Sequence, residues 1–351
     1  MDVTTLLALA YGTVPVRIIK KLYQLPELPS LNNAAAWRQL PLDFDAISPL
    51  FDDAAKRALD AAMQWAEVPD QHLIHWGHPD YPSLLMEISN PPPMLMVKGN
   101  VALLREAQLA IVGSRHPTPS ALEHTRLFAR VLSDAGLCIT SGLAQGIDAA
   151  AHEGALAGNS KTVAVLGCGV DVIYPKRNAR LFARVAEEGA LVSEFPLGTK
   201  PLAEFFPRRN RIVSGLTLGT LVVEAALKSG SLVTARLALE QNREVFAIPG
   251  PIDQMQKEGC HYLIRQGATL IENPAQILEH FNMHHGLVQA VVADGVKTSA
   301  HPLLKHLDQQ PVSVDALAQR SGMAAADLLS SLMELELEGQ VVQYQGEYRL
   351  A

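Results

Sequence analysis

The stretch QLAIVGSRHPTPSALEHTRLFARVLSDAGLCITSG, residues 108–142, decides the fold. It begins with a short apolar run, passes through a Gly-Ser turn, continues at helical spacing and ends on a second apolar run. Both runs are continuously apolar rather than alternating, which is typical of parallel strands buried on both faces. A strand, a helix and a second parallel strand make one βαβ unit, so the stretch predicts an α/β fold.

The same pattern recurs along the middle of the chain. Further apolar runs separated by helical segments are TVAVLG (162–167), ALVSE (190–194), GTLVVE (219–224), EVFAIP (244–249) and ATLIE (268–272). This repetition predicts a doubly wound, Rossmann-like parallel sheet. The ligand crevice of such a sheet lies at the carboxyl ends of its strands.

The flanking segments predict two smaller domains. Residues 1–88 alternate short helical patterns with proline-rich breaks and predict a small helical domain, while residues 89–282 form the sheet domain. Residues 283–300 lack strong periodicity and are interpreted as a linker. Residues 301–351 show three helical patterns and a hairpin pattern, which together predict a winged-helix domain.

Composition limits the function classes. The 351 residues include 29 Lys+Arg and 36 Asp+Glu, a net charge of −7, which argues against a generally basic nucleic-acid coat but not against a local basic patch. No apolar stretch approaches the length of a membrane span, and no secretion signal is recognisable. The three cysteines lack the paired spacing of a zinc or redox site. We therefore expect a cytoplasmic protein that does not enter the membrane.

The first candidate ligand loop is VGSR, which directly follows the strand of residues 108–112. Gly113 allows the backbone to approach a ligand, Ser114 offers a hydroxyl group and Arg115 offers the donors of a guanidinium. An ordinary structural turn remains the alternative at this position.

The second candidate loop is TSGLAQGID, residues 140–148. Gly142 and Gly146 permit tight backbone, and the N–H groups of the loop and of the following helix are candidate donors to phosphate oxygens. Asp148 is expected to cap that helix.

The third candidate loop is LGCGVDVIYPKRN, residues 166–178. It lacks the third glycine of a dinucleotide fingerprint, so a nicotinamide site is not predicted. Lys176 is a candidate anion ligand, and Asn178 is a candidate cap for the next helix.

An unusual basic cluster lies in FPRRNRIVSG, residues 206–215. Arg208, Arg209 and Arg211 surround Asn210, and residues 206–215 contain no acidic residue. On an extended segment Arg209 and Arg211 would share a face, whereas a helical turn would separate them, and both alternatives remain open. The sequence also leaves open whether Phe205 or Phe206 stacks on a base.

Motifs of hydrolytic and metal-dependent enzymes are absent from the sequence. It contains no GxSxG, HExxH or P-loop pattern, so we predict no catalytic residue, no metal and no cofactor.

Four segments together resemble one family. They are VGSR, SGLAQGID with IYPKRN, SEFPLGTKPLAEFFPRRNRIVSGLT, and VVEAALKSGSLVTARLALEQNREVFAIPGP, and with YPSLL and PPPMLMVKG they span about residues 72–282. These motifs resemble the DNA-processing protein A family (DprA/Smf) of bacterial natural transformation. The terminal domains resemble that family only in their type of domain: a sterile-alpha-motif-like helical domain at the N-terminal side and a winged helix at the C-terminal side.

This resemblance implies a protein that binds single-stranded DNA without sequence preference, loads the recombinase RecA onto it and forms a homodimer. It implies no enzymatic activity. The DNA site that it implies comprises Gly113, Ser114, Arg115, Ser141, Gly142, Leu143, Gly146, Asp148, Lys176, Asn178, Phe206, Arg209, Asn210 and Arg211. CHYLIRQGATLI, residues 260–271, is the candidate dimer surface, and a position of its apolar residues in the core is the alternative.

The winged-helix segment departs from a DNA-binding pattern. Residues 301–351 carry three basic residues against seven acidic ones, a net charge of −4, and residues 324–339 contain no Lys or Arg. Because a helix in a DNA groove must neutralise phosphates, contact with protein, or mere packing on the neighbouring domain, is favoured over contact with DNA.

Two rival functions remain open. The segment LTLGTLVVEAALKSGS, residues 216–231, keeps Gly219, Thr220 and Glu224 of the lysine-decarboxylase-like phosphoribohydrolases but lacks their PGG. In that alternative the chain is a nucleotide-processing enzyme, whereas Glu224 could instead be a structural hydrogen-bonding residue beneath the loops. The other rival is a scaffold whose basic residues only form internal ion pairs. It is disfavoured because exposed ion pairs contribute only about 0–1 kcal/mol and do not require three arginines beside aromatic residues.

Overall fold

The computed structural model describes residues 3–11, 14–25, 27–31, 33–40, 44–45, 47–51, 53–283, 303, 306–307, 312–323, 325–337, 341–344 and 347–350. The chain divides into two compact units, Met1–Val288 and Gln289–Ala351. Apart from Met283, the predicted linker at residues 283–300 lies outside the described residues. None of the described helices is long and apolar enough to cross a membrane.

Nine strands of the described residues form the sheet of the first unit. They are β1 (Gln71–His75), β2 (Met94–Gly99), β3 (Gln108–Val112), β4 (Cys138–Ser141), β5 (Thr162–Val165), β6 (Ala190–Ser193), β7 (Gly219–Val222), β8 (Glu244–Ala247) and β9 (Thr269–Leu270). Their order is β1-β2-β6-β5-β4-β3-β7-β8-β9. The strands from β6 across to β9 are parallel, and β1 and β2 add an antiparallel edge.

The predicted doubly wound parallel sheet is confirmed. Each of the seven apolar runs forms one of the parallel strands β3 to β9. The antiparallel strands β1 and β2 were not predicted, and β1 falls inside the segment that the sequence analysis treated as helical. Residues 71–75 are only partly buried, apart from Ile74, so they lack the continuous apolar run of an interior strand. The domain boundaries themselves stay predictions.

Twelve helices of the first unit's described residues surround this sheet. They are α1 (Val3–Tyr11), α2 (Val16–Tyr23), α3 (Ala34–Trp37), α4 (Asp53–Trp65), α5 (Ser83–Glu87), α6 (Pro119–Asp134), α7 (Ile147–Leu156), α8 (Ala179–Glu188), α9 (Phe205–Gly215), α10 (Gly230–Glu240), α11 (Glu258–Arg265) and α12 (Pro274–His280).

Alternate residues of the central strands point to two different cores. Leu109 and Ile111 of β3 belong to a cluster with α6, α7 and α12, whereas Ala110 and Val112 belong to a cluster with α8 and α9. Leu6 of α1 is buried in this second cluster. Side chains of successive strand residues point to opposite faces, so helices cover both sides of the sheet.

The second unit has two of the predicted helices and the two predicted hairpin strands, together with a short first strand that was not predicted. They are β10 (Val312–Ser313), α13 (Val314–Ser321), α14 (Ala325–Leu337), β11 (Val341–Tyr344) and β12 (Glu347–Leu350). The strands form an antiparallel sheet in the order β10-β12-β11, and Leu317, Leu332 and Tyr348 lie in the core of the unit. Most of the predicted first helix, residues 301–310, lies outside the described residues.

Candidate functional site

A cleft of about 670 Å³ lies at the carboxyl ends of the parallel strands. Strand β3 pairs with β4 on one side and with β7 on the other, so the chain reverses its direction of winding there. The loops after β3, β4 and β7 all line the cleft. This is the topological switch point at which open α/β sheets bind ligands.

The loop after β3 places a cation at the cleft. Gly113, Ser114 and Arg115 line it, as the sequence analysis expected, and Arg115 is exposed. The Arg115 guanidinium carbon lies 5.6 Å from the ring centroid of Phe206. Among the described residues no carboxylate lies within ion-pair distance of Arg115. Its charge therefore remains available to an anionic ligand.

The loop after β4 differs from the expectation. Asp148 does not cap its helix, because Gly146 holds the cap position of α7 without a side-chain bond. Instead the Asp148 carboxylate accepts a hydrogen bond from the backbone N–H of Gly142 at 3.1 Å, and the backbone of Ala144 also bonds to it. The cap prediction for Asp148 is wrong because Asp148 is the second residue of α7, and its carboxylate bonds to the preceding loop instead.

A buried histidine takes the next donor of this loop. The Leu143 N–H donates to Nε2 of His152 at 3.3 Å, and Nδ1 of His152 lies 2.7 Å from the Thr162 hydroxyl. Burial lowers the pKa of His152 to about 3, so the ring is neutral and accepts at Nε2. The N–H groups of Gly142 and Leu143 are thus already bonded inside the protein. The expectation that they donate to phosphate is contradicted.

Two further residues of the predicted site support this loop. Asn178 stands at the cap position of α8 but makes no cap bond, which corrects that prediction. Its amide nitrogen donates to the carbonyl groups of Leu143 at 3.0 Å and Ala144 at 3.2 Å. The Ser141 hydroxyl is buried and donates to the carbonyl of Ile111 at 2.6 Å.

The basic cluster is helical, because residues 205–215 form α9. Arg209 is only 4% exposed and forms part of the cleft lining, with its guanidinium packed against Gly142, where any Cβ would collide with it. Its Nη1 donates to the carbonyl of Val165, and its Nε has no partner among the described residues. Burial lowers the pKa of Arg209, and the nearby charge of Asp148 opposes this.

Arg211 lies on another face of the same helix and does not line the cleft. Its Nη2 donates to Oε2 of Glu194 at 2.6 Å, and Arg208 reaches the same oxygen at 3.1 Å. The cluster is therefore balanced by a carboxylate 14 to 17 residues earlier in the chain. For Arg208 and Arg211 the alternative of internal ion pairs is correct, and the structure does not support contact of Arg211 with a ligand in the cleft.

Phe205 and Phe206 have different surroundings in the structure. The Phe206 ring lines the cleft, lies 5.6 Å from the Tyr174 ring by centroid, and packs directly on Gly167, whose missing side chain leaves room for it. Phe205 instead packs on Phe195 at 4.5 Å. Phe206 is therefore the ring that a nucleobase in the cleft could reach.

A smaller cavity of about 160 Å³ adjoins Phe206 and Tyr174. Pro175 lines it, and Lys176 follows in a short 3-10 helix (Lys176–Asn178). Lys176 is exposed but lines neither cavity. Asn210, the remaining predicted residue, lines the main cleft.

The sequence analysis missed the start of α10 as part of the site. Ser229, Gly230 and Ser231 line the cleft, and the two serine hydroxyl groups lie 2.6 Å apart. Ser229 caps the helix by accepting from the Ser231 N–H at 3.3 Å. The amino end of a helix favours negative charge, so α10 adds to the positive potential of the cleft. The Ser-Gly-Ser turn after β7 was the signal that could have revealed it.

Glu224, the acidic residue of the phosphoribohydrolase alternative, forms hydrogen bonds inside the protein. Glu224 is fully buried and accepts a hydrogen bond from the Thr118 hydroxyl at 2.7 Å, which fits the structural role that the sequence analysis left open for it. Within the described part of the chain, no cluster of three or more His, Cys, Asp or Glu residues is arranged to hold a metal ion.

Comparison with known proteins identifies relatives of both units. The family model described as DNA recombination-mediator protein A matches residues 72–282, more than half of the chain. The model described as the DprA winged helix domain matches residues 292–347. Protein Smf of Escherichia coli K12 is 45% identical over 302 residues, which cover 84% of this chain and 81% of that protein.

Two solved structures share the fold. DNA processing protein A (DprA) from Streptococcus pneumoniae aligns with a TM-score of 0.68 and 34% identity over 80% of this chain and 98% of that one. DNA processing protein A from Helicobacter pylori, studied for its single-stranded DNA binding mode, aligns with a TM-score of 0.55 and 33% identity over 58% of this chain and 94% of that one.

Proposed function

The chain belongs to the DNA recombination-mediator protein A family, and on this basis we propose that its cleft binds single-stranded DNA without preference for base sequence. The single observation that carries the proposal is the Arg115 guanidinium above the Phe206 ring, at a cleft that also receives the amino end of α10. The Helicobacter pylori relative, whose single-stranded DNA binding mode has been studied, supports it.

The chemistry of the cleft suits a nucleotide chain better than a protein ligand. Arginine and a helix amino end bind phosphate oxygens, whereas an aromatic ring stacks on any of the four bases. Arg115, the start of α10 and Phe206 offer these two kinds of contact side by side. Neither contact distinguishes one base from another, which explains a lack of sequence preference.

Arg115→Ala is the test of the phosphate contact. The variant is expected to bind unrelated single-stranded oligonucleotides more weakly, by the same factor for each, because phosphates carry no sequence information. Loss of one phosphate contact lowers the slope of log K against log salt by about 0.7. Fluorescence anisotropy over a salt series measures both quantities.

The matched control is Arg236→Ala, which removes an exposed arginine of α10 that does not line the cleft. It should keep both the affinity and the slope of the parent. An Arg115→Ala variant with an unchanged salt slope, or with a loss confined to one base composition, would contradict the proposal.

Loading of the recombinase RecA onto the bound strand is part of the proposed function. Its basis is family membership alone, because no pattern among the described residues specifies a contact with RecA. DNA and RecA share the bacterial cytoplasm, so we place the protein there. We propose no enzymatic activity for this cleft, and the bonds of the buried Glu224 carboxylate to Thr118 support this against the phosphoribohydrolase alternative.

We also propose a homodimer that forms through the free edge of β9. Among the described residues this strand ends the sheet order, its Leu270 is 42% exposed, and Tyr262 of α11 is 43% exposed. An uncovered strand edge with apolar side chains favours pairing with a second copy. Both residues lie within the candidate dimer surface at residues 260–271.

Leu270→Arg is expected to shift the dimer towards monomer, because a buried charge at the edge would lack a partner. Sedimentation velocity over a range of concentrations measures this shift. Leu239→Arg is the control, since Leu239 is also exposed, at 52%, and lies on α10, outside residues 260–271. Equal sedimentation of Leu270→Arg and the parent would exclude this surface.

A further inference from the structure

Glu224 forms hydrogen bonds to both the start and the end of the loop that carries Arg115. Residues 113–118 join β3 to α6, and Arg115 lies between two anchored positions. We propose that Glu224 is the positioning residue of this loop and keeps Arg115 at the cleft for the DNA strand. This inference rests on the proposed function.

The first anchor is at the start of the loop. The register pairs Val112 of β3 with Val222 of β7, so the residues two positions further on lie opposite each other. The Ser114 N–H accordingly donates to the main-chain carbonyl of Glu224 at 2.7 Å. The carbonyl of Ser114 accepts from the Ile147 N–H at 3.1 Å, so the peptide groups on both sides of Ser114 are held.

The second anchor is at the end of the loop. The Glu224 carboxylate accepts from the Thr118 N–H at 3.1 Å and from the Thr118 hydroxyl at 2.7 Å. The same hydroxyl oxygen accepts from the Ala121 N–H at 3.2 Å and so caps α6. Glu224 thus fixes the point at which the loop becomes helix.

The site of Glu224 suits a tether rather than an exposed charge. The side chain is fully buried, and burial of a carboxylate is unfavourable unless hydrogen bonds and an opposite charge compensate for it. Thr118 provides the hydrogen bonds. Lys257, also buried, provides the charge: its Nζ donates to the carbonyl of Val223 at 3.0 Å, and it interacts electrostatically with Glu224.

The middle of the loop is its exposed part. Arg115 and His116 are exposed, and the His116 N–H donates to the Ser114 hydroxyl at 3.1 Å. Without the Glu224 carboxylate, the end of the loop at Thr118 would lose its tether and would have to be ordered when DNA binds. Ordering one long side chain and its loop weakens binding about 3- to 10-fold.

The experiment is a double-mutant cycle of Glu224→Ala and Arg115→Ala, measured as affinity for a single-stranded oligonucleotide. Glu224→Ala alone should weaken binding about 3- to 10-fold, and in the Arg115→Ala background it should add less than about 1.5-fold. A residue with a merely structural role would weaken both backgrounds equally. Thermal unfolding of each variant is measured in parallel.

Glu224→Gln is the conservative control. Its amide oxygen can accept from the Thr118 N–H and its amide nitrogen can donate to the Thr118 hydroxyl oxygen, so affinity should stay within about twofold of the parent. If Glu224→Ala does not fold, Thr118→Val, which removes the hydroxyl bond to Glu224, replaces it in the cycle under the same criteria.

Three results would overturn the inference: parental affinity in folded Glu224→Ala, an equal loss in both backgrounds, or a loss in Glu224→Gln as large as in Glu224→Ala. In each case the parent would still bind and Arg115→Ala would still weaken it. Absence of binding by the parent would instead remove the proposed function, so the two failures are distinguishable.

Discussion

Replacing Arg211 by methionine is expected to lower the free energy of unfolding by about 3 kcal/mol while leaving the salt slope of DNA binding unchanged. Arg211 and Glu194 form a buried pair at 2.6 Å, and removal of one member leaves the other charge buried without its closest partner. Because Arg208 still reaches Glu194, the loss should lie at the lower end of the range for such pairs.

Arg208→Met is the matched control for this prediction. Arg208 pairs with the same carboxylate oxygen, but its side chain is 47% exposed, so its loss should cost less than about 1 kcal/mol. Urea titration followed by circular dichroism measures both variants. Parental stability of Arg211→Met, together with a salt slope lowered by about 0.7, would show that Arg211 contacts phosphate after all.

Replacing Phe206 by alanine is expected to weaken single-strand binding by about 1–3 kcal/mol, which is about 5- to 150-fold. The ring lines the cleft beside Tyr174, and stacking on a base involves no phosphate. The salt slope should therefore remain that of the parent, in contrast to Arg115→Ala. Equilibrium binding to unrelated oligonucleotides over a salt series measures both quantities.

Phe205→Leu provides the control on the neighbouring ring. Phe205 packs on Phe195 at 4.5 Å, so its replacement should reduce stability and leave affinity close to that of the parent. Unchanged affinity of Phe206→Ala would assign Phe206 to packing alone. A larger loss of affinity in Phe205→Leu than in Phe206→Ala would show that Phe205 stacks on the base and that Phe206 packs in the protein.

The sheet was predictable because its signal is local. Each parallel strand is a short apolar run, and the Gly-Ser turn after the first of them marks the cleft. The edge strand β1 was missed because partial burial leaves only a weak pattern. The start of α10 was missed although its Ser-Gly-Ser turn follows a predicted strand, as the other candidate loops do.

The partners of the charged residues could not be predicted, because they lie far from those residues along the chain. Arg211 and Glu194 are 17 residues apart, and the segment 206–215 could not be assigned as helix or strand from its own residues. Asp148 shows the same limit: its position predicts a helix cap, but the folded loop brings the Gly142 N–H to it instead. The sequence therefore shows which residues are charged, but it does not show which partners they bond to in the folded protein.

The most direct measurement of the central claim is a salt-titrated comparison of three ligands: a single-stranded oligonucleotide of mixed sequence, the corresponding duplex and a mononucleotide. We predict that the single strand binds most tightly, equally for unrelated sequences, and that its affinity falls linearly with salt on logarithmic axes. Duplex binding as tight as single-strand binding, or a mononucleotide that is bound and hydrolysed to its free base, would contradict the account.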